Sequence, residues 1–376
     1  MDPAWVAGAP IRPAAPAIAV SATPVAQGLV AQARVRQHAS APQPPAAPRP
    51  AGAQATAHDS TVQTIVPDSL ATARDSTAQP EGRDSLAAAA PFRLARVATL
   101  VEHGVARGEL VEPAGIAIDV FGRLFVSDAA LHRLERYEPD GAPSGEAGTL
   151  GSAAGELRRP GSVALLGTLS VAVLDVENRR ILLYDVNTRL QGTLVDFDDD
   201  ALNTTLGRIE PRALASDRGG ALYVIDAERD RLLVFDFSGR YVRTLGGFGD
   251  GPGSFRSLAA VAVGRRGELV AMGRSPRRLQ WLDARGVPKG GWNLPGSSDA
   301  GAFALAVDDS MRIAVADERS GTVMVWDRSG TLLATRARFD RPRAVVFAPD
   351  GTLVIAEAGP GRLTRYRIEP RPTTGR

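Results

Sequence analysis

The chain contains no cysteine. Disulfides, thiolate zinc sites and cysteine nucleophiles are therefore excluded. Histidine is almost as scarce, with four in 376 residues. His38 and His58 lie in the N-terminal segment, which leaves His103 and His132 for the rest of the chain. Two residues cannot build a zinc site of three histidines. No apolar run reaches the eighteen or so residues of a membrane-spanning helix, so none is expected. An excess of one charge is also missing: 44 Lys and Arg balance 42 Asp and Glu, a net charge of +2. That removes the bulk electrostatic case for nucleic acid as a partner. Lysine is nearly absent, and Lys289 is the sole example among the basic residues.

Composition changes sharply near position 92. Residues 1–91 are dominated by Ala, Pro, Ser, Thr and Gln, with a proline-rich stretch ending in Pro45-Ala46-Ala47-Pro48-Arg49-Pro50. Such a segment cannot bury enough apolar surface to offset its ordering entropy. A disordered arm or passive spacer is expected over 1–91, and a short disordered tail over 370–376. The first residues carry an early acid and no basic stretch before Arg12, so they do not read as a clear export signal, although Val30-Ala31-Gln32-Ala33 fits a small-residue cleavage site. Between compartments, the reading leans to periplasm or secretion over cytoplasm.

From Phe92 onward one unit is written six times. It comprises a short apolar strand, a turn, a second strand ending in an acid, a five-residue step to an arginine, and an aromatic four positions later. The acids are Asp128, Asp175, Asp226, Asp317 and Glu357, with Gly273 in the fourth unit. The arginines are Arg133, Arg180, Arg231, Arg278 and Arg362, with Thr322 in the fifth. Tyr137, Tyr184, Phe235, Leu282, Trp326 and Tyr366 follow. A short-strand repeat of roughly 40–50 residues implies a radial β architecture. Gly-containing turns separate the later strands, as in Asp140-Gly141, Ser238-Gly239 and Asp350-Gly351. The sixth unit stops before a fourth strand. Residues 93–100 precede the first unit as an orphan strand, so they are expected to pair antiparallel beside 362–368. The fold class is all-β: a six-bladed propeller of four-stranded antiparallel blades over 92–369, closed by an N-terminal strand and monomeric. Unit four, which lacks the acid, is expected to form the weakest blade.

Pro113-Ala114-Gly115-Ile116-Ala117-Ile118-Asp119, Asn178-Arg179-Arg180 and the glycine-rich Gly246 to Gly253 crossover resemble the NHL family of β-propellers. The resemblance covers about 92–368. It implies a binding platform whose top face takes RNA or peptide in some members, and it is far more specific for fold than for activity.

The repeated acid and arginine read as a structural pair, because both recur in nearly every unit. An alternative is a divalent-metal hydrolase or lyase resembling the SMP-30/gluconolactonase propellers, which bind calcium or another divalent ion. Its candidate ligands are Glu177, Asn178, Glu210 and Asp226, since hard cations take several oxygens. Otherwise no cofactor is expected. Asp196-Phe197-Asp198-Asp199-Asp200 lacks the glycine and terminal glutamate of an EF-hand and reads as a solvated acidic loop. The top-face loops are richer in arginine: Arg158, Arg159, Arg212, Arg256, Arg341 and Arg343, joined by Arg179, Arg229, Arg274, Arg277 and Arg319. The opposite turns are rich in Asp. A charge-polarised disk steers an anionic partner to one face. No aromatic platform for RNA accompanies these arginines, so a protein or an anionic glycan or peptide ligand is expected there.

Overall fold

The computed structural model describes residues 90–296 and 301–371. Every described residue belongs to one compact unit. The expected arm lies almost wholly outside the described residues, as does most of the expected tail.

Strand β1 (Phe92–Val101) precedes six sets of strands. Blade one is β2 (Pro113–Ile118), β3 (Leu124–Asp128), β4 (Arg133–Tyr137) and β5 (Pro143–Ala147). Blade two is β6 (Pro160–Leu166), β7 (Ser170–Asp175), β8 (Arg180–Asp185) and β9 (Leu190–Asp196). A short helix, α1 (Asp200–Leu206), leads to blade three, which is β10 (Pro211–Ser216), β11 (Leu222–Asp226), β12 (Arg231–Phe235) and β13 (Tyr241–Gly246). Blade four is β14 (Leu258–Val263), β15 (Leu269–Arg274), β16 (Arg277–Leu282) and β17 (Pro288–Asn293). Blade five is β18 (Phe303–Val307), β19 (Ile313–Asp317), β20 (Thr322–Trp326) and β21 (Leu332–Arg336). Blade six supplies β22 (Pro342–Phe347), β23 (Leu353–Glu357) and β24 (Arg362–Pro370).

The spacing of the repeat has a geometric cause. Asp128 lies opposite Arg133, Asp175 opposite Arg180, Asp226 opposite Arg231 and Glu357 opposite Arg362. Each acid and arginine is thus the closing pair of the hairpin between strands two and three. The aromatic falls opposite the start of strand two, as in Leu124 with Tyr137, Val171 with Tyr184 and Leu222 with Phe235. At the opposite end of the blade, Gly239 closes a turn at φ +81, where a Cβ would fall 2.0 Å from the carbonyl oxygen of Leu194. Only glycine fits that approach.

The arginine reaches past its acid to the crossover that precedes the blade. Arg180 Nε bonds Asp175 at 2.9 Å while its terminal nitrogens donate to the carbonyls of Ser152, Ala153 and Glu156. Arg231 bonds Asp226 at 2.8 Å and the Leu206 carbonyl at 2.6 Å. Arg278, with no acid opposite, still donates to the carbonyls of Asp250, Gly251 and Ser254. Arg133 donates to the carbonyls of Ala106 and Glu109, but its ion pair is with Glu135 at 2.8 Å and not with Asp128. The pairing read from the repeat holds in blades two, three and six and is rerouted in blade one.

Blade four does not leave the missing acid's work undone. Elsewhere that carboxylate accepts backbone N–H groups just before the inner strand, as Asp128 does from Val111 at 2.7 Å. In blade four Asp230 reaches across from blade three and accepts from Ser257 at 2.9 Å and Leu258 at 2.7 Å. Gly273 alone therefore does not deprive blade four of this anchoring.

Six apolar clusters fill the six seams between neighbouring blades. One joins Leu174, Ile181 and Phe197 of blade two to Leu214, Leu233 and Phe235 of blade three. Another joins blades five and six and takes in Leu94 of β1. The ring closes as expected. β1 pairs antiparallel with β24, from Phe92 opposite Pro370 to Val101 opposite Leu363. Phe92 also meets Ala334 of β21 in a parallel bridge, which joins blades five and six into one eight-stranded sheet.

Two measurements test this account. A chain beginning at Ala90 should melt cooperatively, whereas one beginning at Glu102 should melt lower by on the order of 10 °C or more, because blade six loses an edge strand and the buried Leu94. The second concerns Glu135, fully buried in β4, where it accepts from the Gly108 N–H at 3.3 Å and leaves Oε2 without a partner. Burial pushes its carboxyl up from the ordinary 4.5 to about 7, against the pull of Arg133. The folded state holds this proton more tightly than the unfolded chain. Its contribution is therefore complete below the ordinary carboxylate range and is lost as pH rises through about 7. Gln280 fills the same place in blade four, accepting from the Gly253 N–H at 2.9 Å. Glu135→Gln should gain on the order of 1–3 kcal/mol relative to the parent at pH 8 and little at pH 4; denaturant melts at both values decide it.

Candidate functional site

The inner strands β2, β6, β10, β14, β18 and β22 neighbour one another in a closed ring. The crossovers that lead into them and the hairpins between strands two and three share one rim of that ring. Strand register therefore fixes which side chains meet there. Glu112 stands just before β2, Arg159 just before β6, and Arg212 is the second residue of β10. Arg274 ends β15, Glu318 follows β19, and Arg343 is the second residue of β22.

These residues form a chain of charges across blades. Arg343 is clamped between Glu112 and Glu318, at 2.7 Å from each. Arg159 approaches Glu112 at 3.5 Å and Glu177 at 3.7 Å. Burial disfavours the Arg343 cation, but its bonds to Glu318 and the nearby Glu112 charge outweigh that and raise its pKa. Glu318 spends its second oxygen on the Ala302 N–H at 3.0 Å. Arg274 has the opposite balance. Burial and the neighbouring charge of Arg212 lower its pKa, with Glu318 opposing. Its Nε is sealed from solvent and has no hydrogen-bond partner.

The six arginines selected from sequence have different fates. Arg158, Arg159 and Arg212 are exposed on the rim. Arg256 turns outward, paired with Asp250 at 2.5 Å and lying over the Phe248 ring. With Pro276, Asn293 and Leu294 it lines a hollow of about 590 Å³ beside blade four. Arg341 donates to the Ala358 carbonyl at 2.9 Å. Arg343 is the bridging residue just described, not a free surface charge. Glu112 and Glu318 escaped the sequence reading. Each adjoins a position the repeat does fix, Pro113 and Asp317, so the register placed them on the rim even though their own identities are not periodic.

The four oxygen-bearing candidates do not converge. Asp226 is buried, with its oxygens taken by Arg231 and by the backbone N–H groups of Glu210 and Glu228. Asn178 donates to Asp175 at 2.7 Å and to the Gly151 carbonyl at 2.8 Å. Glu177 faces Arg159, and the Glu210 side chain is exposed. Among the described residues no group of three or more His, Asp or Glu is placed to hold a metal ion. These four residues do not fit a divalent cation as arranged.

The acid-rich stretch after β9 is more built than a solvated loop. Asp199 caps α1 through the Leu202 N–H at 2.8 Å, Asp198 pairs with Arg179 at 2.8 Å, and Phe197 is buried between blades. Aspartates of the opposite face tie their own turns. Asp236 accepts from the Ser238 and Arg240 N–H groups and from the Ser238 hydroxyl, which holds its carboxyl below the usual range.

A family described as a 6-bladed beta-propeller matches residues 214–279. The Drosophila melanogaster protein brain tumor is 23% identical over 145 residues, which is 39% of this chain and 13% of that protein. Among solved structures, a catalytically inactive virginiamycin B lyase from Staphylococcus aureus with quinupristin superposes with a TM-score of 0.53 at 9% identity, covering 73% of this chain and 99% of the lyase. The calcium-binding protein regucalcin from Agrobacterium tumefaciens superposes with a TM-score of 0.51 at 15% identity, covering 73% and 97%. At such identities these likenesses establish the fold, a six-bladed β-propeller, and nothing of the activity.

The rim yields a direct contrast. Arg343→Ala strands two partly buried carboxylates and should cost about 1–3 kcal/mol. Arg158→Ala, exposed and without a carboxylate partner among the described residues, should stay within about 0.5 kcal/mol of the parent. Equilibrium urea unfolding of both variants would reveal the difference.

Proposed function

We propose that this propeller is a non-catalytic binding module of the NHL type that presents its arginine-bearing rim and channel mouth to a protein or an anionic peptide or glycan. The observation that carries this reading is the allocation of charge on the rim. Glu112, Glu177 and Glu318 are each held by Arg159 or Arg343, which commits these three carboxylates to structure and leaves Glu210 exposed. Arg158 and Arg212 stand exposed beside them, with no carboxylate partner among the described residues. Positioned cations with spare donors suit recognition of an anion. Proton transfer instead needs an acid or base held away from such neutralising partners.

A divalent-metal hydrolase or lyase of the SMP-30 type is the competing reading, and the likeness to regucalcin is what favours it. The two separate in one set of experiments. Under the binding reading, the triple change of Arg158, Arg159 and Arg212 to Ala should leave the melting temperature within a few degrees. Capture of a polyglutamate peptide should weaken by about tenfold or more, with the difference shrinking as salt screens the charges. Calcium at millimolar concentration should not raise the melting temperature, since a ligand bound to the native state alone would do so. Metal-dependent turnover of a lactone by the purified protein would overturn the binding reading.

A further inference from the structure

Among the described residues α1 is the only helix, and it interrupts the single link between blades two and three. A segment that breaks a repeat is where a repeat fold gains a site of its own. Here α1, β9 and the start of β13 line a hollow of about 320 Å³. β9 and β13 are the outermost strands of their blades, so the hollow belongs to the outer wall of the ring and not to the channel side. Its apolar lining is Leu194, Leu202 and Tyr241, half-buried residues that continue outward the packed seam between the two blades. Each is held in place. Leu194 sits within β9, and the Leu202 N–H donates to Asp199 at 2.8 Å. The Tyr241 ring stands edge-on to Phe235 at 6.2 Å, and its hydroxyl lies 2.9 Å from that of Thr244. A hollow formed in advance asks little ordering of what enters it.

The same hollow is charged on one side. Asp196 and Asp199 line it as well, and both are exposed. Asp196 accepts the Asp198 N–H at 2.9 Å through one oxygen, as Asp199 does that of Leu202. The second oxygen of each has no bond among the described residues. Asp200 follows in the first turn of α1 and is also exposed. Among the described residues none of these three acids has a basic partner. Their neighbour Asp198 does, and it holds the Arg179 guanidinium at 2.8 Å. The hollow thus joins an apolar wall to uncompensated negative charge. Its complement is an apolar side chain with a cation beside it.

We propose that this hollow docks a basic peptide segment of a partner protein. An apolar side chain of that segment seats against Leu194, Leu202 and Tyr241, and an adjacent arginine or lysine pairs with Asp196 and Asp199. The surface lies apart from the arginine rim and selects the opposite charge. It therefore goes beyond the binding reading above and stands or falls without it.

The probe is a fluorescein-labelled hexapeptide of alternating leucine and arginine, titrated with the full chain at constant ionic strength and followed by anisotropy. Saturable binding is expected in the parent. It should weaken by about tenfold or more when Asp196→Asn and Asp199→Asn are combined, a change in which asparagine still caps α1. A similar loss is expected in Leu202→Gln, which makes the wall polar, and with a peptide of alternating alanine and arginine. Asp140→Asn, in an exposed turn of blade one, should bind as the parent does, and so should the triple change of Arg158, Arg159 and Arg212 to Ala. Circular dichroism would confirm each fold. Should Leu202→Gln fail to fold, the paired Asn change and the alanine peptide still decide the matter. Absence of saturable binding up to about 1 mM would overturn the site. Equal affinity for the alanine peptide would reduce it to unspecific attraction of cations and overturn it too. Tighter binding of a leucine–glutamate peptide, or loss of binding in the triple arginine variant, would place the contact on the rim instead. Calcium that raises the melting temperature of the parent, but not of the paired Asn variant, would give these acids to a metal ion and end the peptide assignment.

Discussion

Asp175 and Asp226 are wholly shielded from solvent, and a carboxylate is tolerated there only when its oxygens are met on every side. The blade supplies those partners from three directions. The arginine opposite gives one bond, the backbone just before the inner strand gives another, and the turn after strand two gives the rest. Asp175 takes the Arg158 N–H at 2.7 Å, the Asn178 amide at 2.7 Å and Arg180 at 2.9 Å. Satisfying the acid thus fixes the inner strand to the second hairpin. The same arginine extends the constraint to the crossover from the previous blade. Packing between blades then acts on sheets whose upper ends are already held together.

That arrangement frees the neighbouring rim side chains from anchoring the blade itself. Backbone there is anchored by groups pointing into the blade, so the adjacent side chains are left to interact with other blades. Glu112, Arg159, Arg212 and Arg343 occupy such positions. Their interactions run between blades: Arg343 and Glu112 stand 231 positions apart in sequence. The rim is therefore a product of ring closure, and no single blade contains its charge pattern.

This also marks where the sequence is legible. The step of five from acid to arginine and of nine from acid to aromatic are register distances within one hairpin, so they surface as periodicity. The ring closure by β1 was readable for the same reason, since unit six lacked a strand that residues 93–100 could provide. Partners chosen across blades leave no such trace. Nothing periodic announces that Asp230 compensates for Gly273, although it occupies the place of His132, whose Nδ1 accepts the Arg159 N–H at 3.0 Å. Nor does any spacing show that Arg133 pairs with Glu135, or that Arg343 is a bridge while Arg212 is not. The site residues were visible as a class of charged rim positions, and their individual roles required the ring.

The pairing of β1 with β24 bears on how the protein is made. Arg93 and Glu369, joined at 2.6 Å, are separated by 276 positions. On the ribosome, β1 emerges first among the described strands and must wait for nearly every other one before its partner exists. Contacts of such separation are slow to form, and exposed strand edges invite association with other chains meanwhile. β1 answers part of this hazard in its own composition, with Arg93 and Arg96 set among its apolar residues. Charges of this kind discourage intermolecular pairing of an unpartnered strand, so the segment that finally seals the ring also guards itself during the interval before it can.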